Sequence, residues 1–229
     1  MKKILILGGN SDIGLELLNN FLNDKNFLIH IHYNKKISQK IAKREIKLIK
    51  KDLSKIDSKN LNKYFDRNYD IIINLVGYVS NQSFFKLDIK ETQKTILINS
   101  LIPLLIIKNS IQNMIKKKYG RIINTSSIGV KFGGGANTFS YSLSKHLNEF
   151  IPGDLRKLCS HNILYNTLRI GVTDTKFHNK VKNKSIRKRI KLIPIKKMAS
   201  TEDIVNYIIY LIGKNNFIAN EVINGTGGE

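Results

Sequence analysis

The opening of the chain sets the tightest constraint on its fold. Residues 3–7 are a short apolar run. It meets Gly8-Gly9-Asn10-Ser11-Asp12-Ile13-Gly14 and then an amphipathic run carrying Leu15, Leu17, Leu18, Phe21 and Leu22. A buried strand that turns at glycines into a helix is the first half of an α/β crossover. Small residues let the backbone approach a ligand there, and the helix start offers free N–H groups to a phosphate. Ser11 or Asp12 is placed to cap that helix.

The rest of the chain keeps the same alternation. Strands are expected over 27–33, 46–49, 70–75, 120–127, 163–169 and 221–224. Between them lie helical patterns over 40–44, a short one at Leu61, Tyr64 and Phe65, a long one over 89–116, one carrying Tyr141 and Lys145, and one over 201–212 with Thr201 as N-cap. Alternating strands and helices predict parallel crossovers and a doubly wound α/β sheet with helices on both faces. At 229 residues, with no internal repeat or linker, one domain over 1–229 is the expected organisation. The one irregular stretch, residues 171–200, is basic and longer than most loops. It predicts a substrate lid at about 172–198.

Composition narrows the partners. Cys159 is the sole cysteine, which rules out an internal disulfide and suits a reducing cytoplasm. The apolar start stops at Gly8, short of the roughly 7–15 residues of an export signal. No run approaches the roughly 18 apolar residues of a membrane span. The longest apolar region, 96–107, is broken by Asn99, Ser100 and Pro103. The five histidines show no metal-ligand spacing, so no metal is expected; His30 and His32 alternate on a strand and read as structural. A net charge of +22 fits lysines spread over solvated faces, or an acidic partner such as a phosphorylated cofactor, a nucleotide sugar or an acidic carrier protein. Without a recognition motif or an aromatic–basic platform, nucleic acid is not an expected partner.

Tyr141 and Lys145, four apart, share one face of a helix. An ammonium there stabilises a nearby phenolate and makes the phenol a usable general acid or base. With 9 Tyr and 32 Lys in the chain, chance alone supplies roughly one such pair, and Tyr210 with Lys214 is a decoy. Only Tyr141 follows a strand pattern ending in serines, Thr125-Ser126-Ser127.

With these residues in place the chain resembles the short-chain dehydrogenase/reductases over nearly its whole length. The family's Tyr-x-x-x-Lys corresponds to Tyr141 and Lys145, its catalytic serine to Ser127 (with Ser126 the alternative), and its helix asparagine to Asn99. Its glycine-rich cofactor loop corresponds to Gly8, Asn10, Ser11, Asp12, Ile13 and Gly14. The acidic residue that holds the adenine corresponds to Asp52, beside Leu53. The motif after the fourth strand corresponds to Asn74, Val76 and Gly77, and that after the sixth strand to Gly171, Thr173 and Thr175. The resemblance implies a Rossmann-type sheet and hydride transfer between a nicotinamide and a carbonyl or secondary alcohol. Tyr141 would donate the proton, Lys145 would lower its pKa and hold the ribose, Ser127 would bind the substrate oxygen, and Asn99 would hold a water linking Lys145 to solvent.

The departures bear on cofactor and assembly. Leu7, Asp12, Leu75 and Ile170 replace family residues around the cofactor. Tyr33 stands where NAD-specific members carry an acid, and Asn34, Lys35 and Lys36 follow it, so NADP(H) is expected over NAD(H). Pro152-Gly153 should break the helix that carries Tyr141, with Asp154 restarting one, which bears on the dimer or tetramer the resemblance implies. The substrate is expected to be a small or carrier-bound carbonyl compound, 3-oxoacyl-carrier protein being the commonest for this motif set. Arg169 and the basic lid would also suit a sugar or nucleotide-sugar substrate of surface polysaccharide synthesis. A non-catalytic dinucleotide sensor is the other alternative.

Overall fold

A computed structural model describes residues 1–21, 24–37, 41, 46–182 and 185–229. The strands are β1 (Lys2–Leu7), β2 (Phe27–Tyr33), β3 (Lys47–Lys50), β4 (Ile71–Asn74), β5 (Gly120–Ser127), β6 (Ile163–Ile170) and β7 (Val222–Gly225). They form one seven-stranded sheet in the order β3-β2-β1-β4-β5-β6-β7, every neighbouring pair parallel. The order reverses between β1 and β4, and the crevice at such a switch point is where doubly wound sheets bind ligands.

Both sheet faces are covered, which explains why β1 reads as a continuous apolar run. Ile4 and Ile6 pack with Leu17, Leu18 and Phe21 of α1 (Asp12–Phe21) and with Ile204, Val205 and Ile208 of the last helix. Leu5 and Leu7 face the other way, onto Ile98, Ile102 and Ile106 of the long helix α2 (Ile89–Lys117). By length and composition α2 could cross a membrane, with mean hydropathy 1.3, but 56% of that window is buried inside the protein. It is a core helix.

α2 contains a π turn at Leu97–Leu101, closed by the Ile102 N–H on the Leu97 carbonyl. Pro103 explains its place. Proline has no N–H to give the carbonyl four residues back, which here belongs to Asn99. That carbonyl is left to the active site.

The helix carrying Tyr141, α3 (Phe139–Leu147), ends only two residues after Lys145. The helix thus ends five residues before Pro152, earlier than the break expected there. The chain restarts as α4 (Gly153–Arg156), with Pro152 as its N-cap. The irregular basic stretch folds partly into a 3-10 turn, Lys176–Lys180, and α5 (Ile186–Leu192). The last helix, α6 (Thr201–Gly213), is capped by Ser200 rather than Thr201: the Ser200 hydroxyl and the Asp203 carboxylate exchange hydrogen bonds with each other's N–H. The pattern at 61–65 is a 3-10 turn, Leu61–Lys63. The helix expected over 40–44 lies outside the described residues except for Ile41, which is buried.

Candidate active site

At the C-terminal ends of the strands lies one continuous cleft of about 1320 Å³. Every expected site residue lines it except Gly14, Asn74 and Asn99, which sit behind its wall. The decoy pair stays apart, on α6, with Tyr210 half exposed.

The glycine turn shapes one end. Gly8 has φ +71°, and a Cβ there would lie 3.0 Å from the Leu75 carbonyl carbon and oxygen. A Cβ on Gly14 would come within 2.5 Å of the Gly9 carbonyl oxygen. Both positions demand glycine. Ser11 is the cap of α1: its Oγ accepts the Gly14 N–H at 3.1 Å. His32 fixes the turn from below. Its Nδ1 accepts the Gly8 N–H at 3.3 Å and its Nε2 lies 2.8 Å from the Lys51 carbonyl oxygen, so it is the structural residue expected. This tight, side-chain-free cradle at a helix start fits a dinucleotide diphosphate. Asp12 is turned elsewhere: its carboxylate accepts the Lys176 N–H at 2.7 Å, linking the turn to the 3-10 turn at Lys176–Lys180. Further along, Tyr33, Asn34, Lys35 and Lys36 line the cleft opposite Asp52. The Asp52 carboxylate accepts the Ser54 N–H and hydroxyl at 2.9 and 2.8 Å.

Ser127, Tyr141 and Lys145 meet at the other end. Lys145 is buried, and its Nζ donates to the Val76 carbonyl at 2.8 Å, the Thr125 carbonyl at 2.9 Å and the Thr125 hydroxyl at 3.2 Å. Burial lowers its pKa to about 7. Burial pushes the Tyr141 phenol up to about 12, against a hydrogen bond with Ser127 that favours the phenolate. The shift of the phenol is thus opposite in sign to the lowering that the resemblance implies. Lys145 Nζ lies 5.9 Å from the centre of the Tyr141 ring and is occupied with carbonyls, so desolvation dominates both groups. The two serines separate cleanly: Ser127 faces Tyr141, whereas Ser126 donates to Glu149 Oε1 at 2.6 Å.

Asn74 and Asn99 build the wall. Asn74 accepts the Val76 N–H and donates to Asn124, which sets the turn through Gly77. The Asn99 side chain brackets Tyr78, accepting its N–H at 2.7 Å and donating to its carbonyl at 3.0 Å, and also reaches Ser144 Oγ at 2.9 Å. The Asn99 carbonyl accepts amide protons from Asn74 at 3.3 Å and Asn148 at 3.2 Å.

Three residues and one contact escape sequence reasoning. Phe177 lies with its ring centre 5.3 Å from that of Tyr141, against Gly77. The Asp12 contact with Lys176 crosses 164 residues of sequence. Asn148 and Glu149 follow α3 and bind the strands beneath it. Only Glu149, a carboxylate one helical turn after Lys145, left a visible signal. Arg169, expected to meet phosphates, is instead committed to Glu149 and Asn224.

The sequence model of a family described as short chain dehydrogenase matches residues 2–186. A 3-oxoacyl-acyl-carrier-protein reductase of Aquifex aeolicus is 27% identical over 203 residues, 85% of this chain and 82% of that protein. One from Buchnera aphidicola subsp. Baizongia pistaciae is 25% identical over 245 residues, covering 99% and 97%. Among solved structures, YwfH, an NADPH dependent reductase involved in bacilysin biosynthesis, superposes with a TM-score of 0.83 at 20% identity, covering 99% of this chain and 97% of that one. A 4-hydroxyisoleucine dehydrogenase mutant complexed with NADH and succinate superposes with 0.81 at 24% identity, covering 99% and 98%.

Proposed function

This chain belongs to the short chain dehydrogenase family of oxidoreductases, and from that premise we propose that it reduces 3-oxoacyl thioesters of an acidic carrier protein with NADPH in the cytoplasm. The convergence of Ser127, Tyr141 and Lys145 at the switch-point cleft carries the reading. When bound, the nicotinamide supplies the hydride. The Gly8–Gly14 turn would hold the diphosphate, Asp52 and Leu53 the adenine, and Lys145 the ribose; Val76, Gly77, Gly171, Thr173 and Thr175 would line the reacting end. Ser127 orients the substrate carbonyl. Tyr141 donates its proton to the alkoxide oxygen as it develops. Asn99 fixes the Tyr78 turn and, through Ser144, the helix that presents Tyr141.

The deciding experiment offers acetoacetyl-carrier protein, acetoacetyl-N-acetylcysteamine and a set of keto-sugars with NADPH. Turnover of both acetoacetyl substrates, faster on the carrier, is the expected result. Turnover of keto-sugars alone would replace the substrate class, and tight NADPH binding with no turnover of any would favour a sensor. Exposed apolar side chains on α2 and α3, among them Leu101, Leu104, Leu143 and Leu147, support a homo-oligomer.

NADPH is expected to bind about tenfold tighter than NADH, with Lys35 and Lys36 together contributing the smaller part of that in free energy. The absent carboxylate at Tyr33 is the stronger reason, since an acid there would repel a 2′-phosphate. Fluorescence titration of both cofactors, with the parent and with Lys35→Ala/Lys36→Ala, checks it. NADH binding as tightly as NADPH in the parent would refute the preference.

The lid is expected to tighten over the cleft when ligands bind. Asn81 holds it at the Lys180 carbonyl and the Lys182 N–H, at 2.9 and 2.8 Å, and Asn137 holds the Lys182 carbonyl at 3.1 Å. Such polar contacts over few apolar anchors open readily. Lys184, part of the same basic run, lies outside the described residues. Hydrogen exchange over 174–191 should slow with NADPH and acetoacetyl thioester; slow exchange without them, unchanged on addition, would argue against a lid.

A further inference from the structure

We propose that Glu149, acting with Asn148, is a positioning residue: the two clamp the end of the shortened helix α3 to β5 and β6 and so hold Ser127 and Lys145 in register. The proposal rests on the reductase reading above. Its starting point is a deficit. α3 stops at Leu147, and Pro152 denies the next residues a helical continuation. Lys145 therefore sits in the last turn, where helices fray, yet its buried ammonium needs acceptors at fixed distances.

Asn148 and Glu149 supply what the missing helix turns would. The Asn148 amide donates to the Thr125 carbonyl at 3.1 Å, the same carbonyl that receives Lys145 Nζ at 2.9 Å. The Asn148 carbonyl accepts the Thr167 hydroxyl of β6 at 2.7 Å. Glu149 Oε1 accepts the Ser126 hydroxyl at 2.6 Å and Arg169 Nε at 2.7 Å, while Oε2 accepts Arg169 Nη2 at 2.7 Å. This two-pronged pairing fixes the carboxylate in plane as well as in distance. The Glu149 side chain is 9% exposed, so the pairing is shielded from solvent.

The consequence for catalysis follows from strand geometry. Ser126 and Ser127 are consecutive in β5, so their side chains leave opposite faces. Ser126 pairs in register with Arg169 across the β5–β6 ladder. Holding the Ser126 hydroxyl on one face sets the rotation of the strand end, and with it where the Ser127 hydroxyl stands before Tyr141. The network thus acts on the site through Ser127 and through the shared Thr125 carbonyl, without touching substrate.

The test uses variants that leave no orphaned charge. Ser126→Ala cuts the clamp from the strand but keeps the ion pair, and Glu149→Leu/Arg169→Met removes both charges together. With acetoacetyl-N-acetylcysteamine and NADPH, each is expected to lower kcat by about 10–100-fold, the range for small misplacements of catalytic groups. KM and the NADPH dissociation constant should stay within about threefold. Ser126→Thr, which keeps the hydroxyl, should recover most of the lost kcat. Loss of thermal stability with kcat per NADPH site unchanged would assign the network to stability alone and overturn the proposal, as would failure of Ser126→Thr to recover more than Ser126→Ala. If the parent itself turns over no 3-oxoacyl thioester, the functional reading fails separately. The clamp is then read from amide exchange over 126–129 in the Leu/Met variant: faster exchange there than in β1 supports it, and unchanged exchange refutes it.

Discussion

Replacing Tyr141 by Phe is expected to lower kcat by about 10²–10⁴-fold, the usual worth of a general acid, while NADPH binding stays within about threefold of the parent. The substitution removes one oxygen from a ring already packed against Phe177 and leaves the cleft's shape intact. The phenol's environment makes the size of the effect direction-dependent. Burial pushes its pKa up to about 12, so it is fully protonated at neutral pH and ready to donate to an alkoxide, a far stronger base. In the oxidative direction the same phenol must first lose its proton, so alcohol oxidation should accelerate with rising pH over the range in which reduction stays flat. Steady-state rates in both directions between pH 6 and 10 check this. A Phe variant with activity within about threefold of the parent would end Tyr141's role as the acid. Tyr210→Phe, on the exposed face of α6, is the matched control and should be close to neutral.

The sheet, its switch point and the crossing helices were legible because apolar periodicity and glycine turns are local signals, and here they agree along the whole chain. Much of the cleft lining was legible for a related reason: Gly8, Asp52, Val76, Ser127 and Gly171 stand at or just after strand ends, where a doubly wound sheet gathers them, whereas Tyr141, Lys145 and Asn99 stand on helices and were found by motif alone. What escaped were consequences of packing. The pKa of Lys145 depends on how deeply Nζ is buried, and its hydrogen bond to the Val76 carbonyl spans 69 residues of sequence. Arg169 carries a charge that sequence reasoning could assign to any anion; Glu149 claims it because β6 and the end of α3 happen to meet. The early end of α3 was half legible. Pro152 announced a break, but the actual end at Leu147 goes with the tertiary bonds that Asn148 and Glu149 make to β5 and β6.

Lys145→Met is the other large effect, and it has two signs. Activity should fall by about 100-fold or more, because the group proposed to hold the ribose beside Tyr141 is gone. Stability of the cofactor-free protein should change the other way at low pH. Burial lowers the Lys145 pKa from 10.5 to about 7. Between those values the unfolded chain holds a proton that the native protein has released, so native stability rises with pH across that window and levels off above it. Below pH 7 both states hold the proton, and the native state carries the full penalty of a buried ammonium. The parent should therefore gain on the Met variant by about 1.4 kcal/mol per pH unit between pH 7 and 10. Below pH 7 the difference should stay constant, with the variant the more stable. Urea unfolding of both proteins at pH 6, 8 and 9.5 measures this directly. Parallel curves would mean that Nζ keeps its proton throughout, held by the Val76 and Thr125 carbonyls. The ammonium would then be a permanent charge beside Tyr141, the phenol would lie below the value set by burial, and the site would suit oxidation of an alcohol as well as reduction of a ketone.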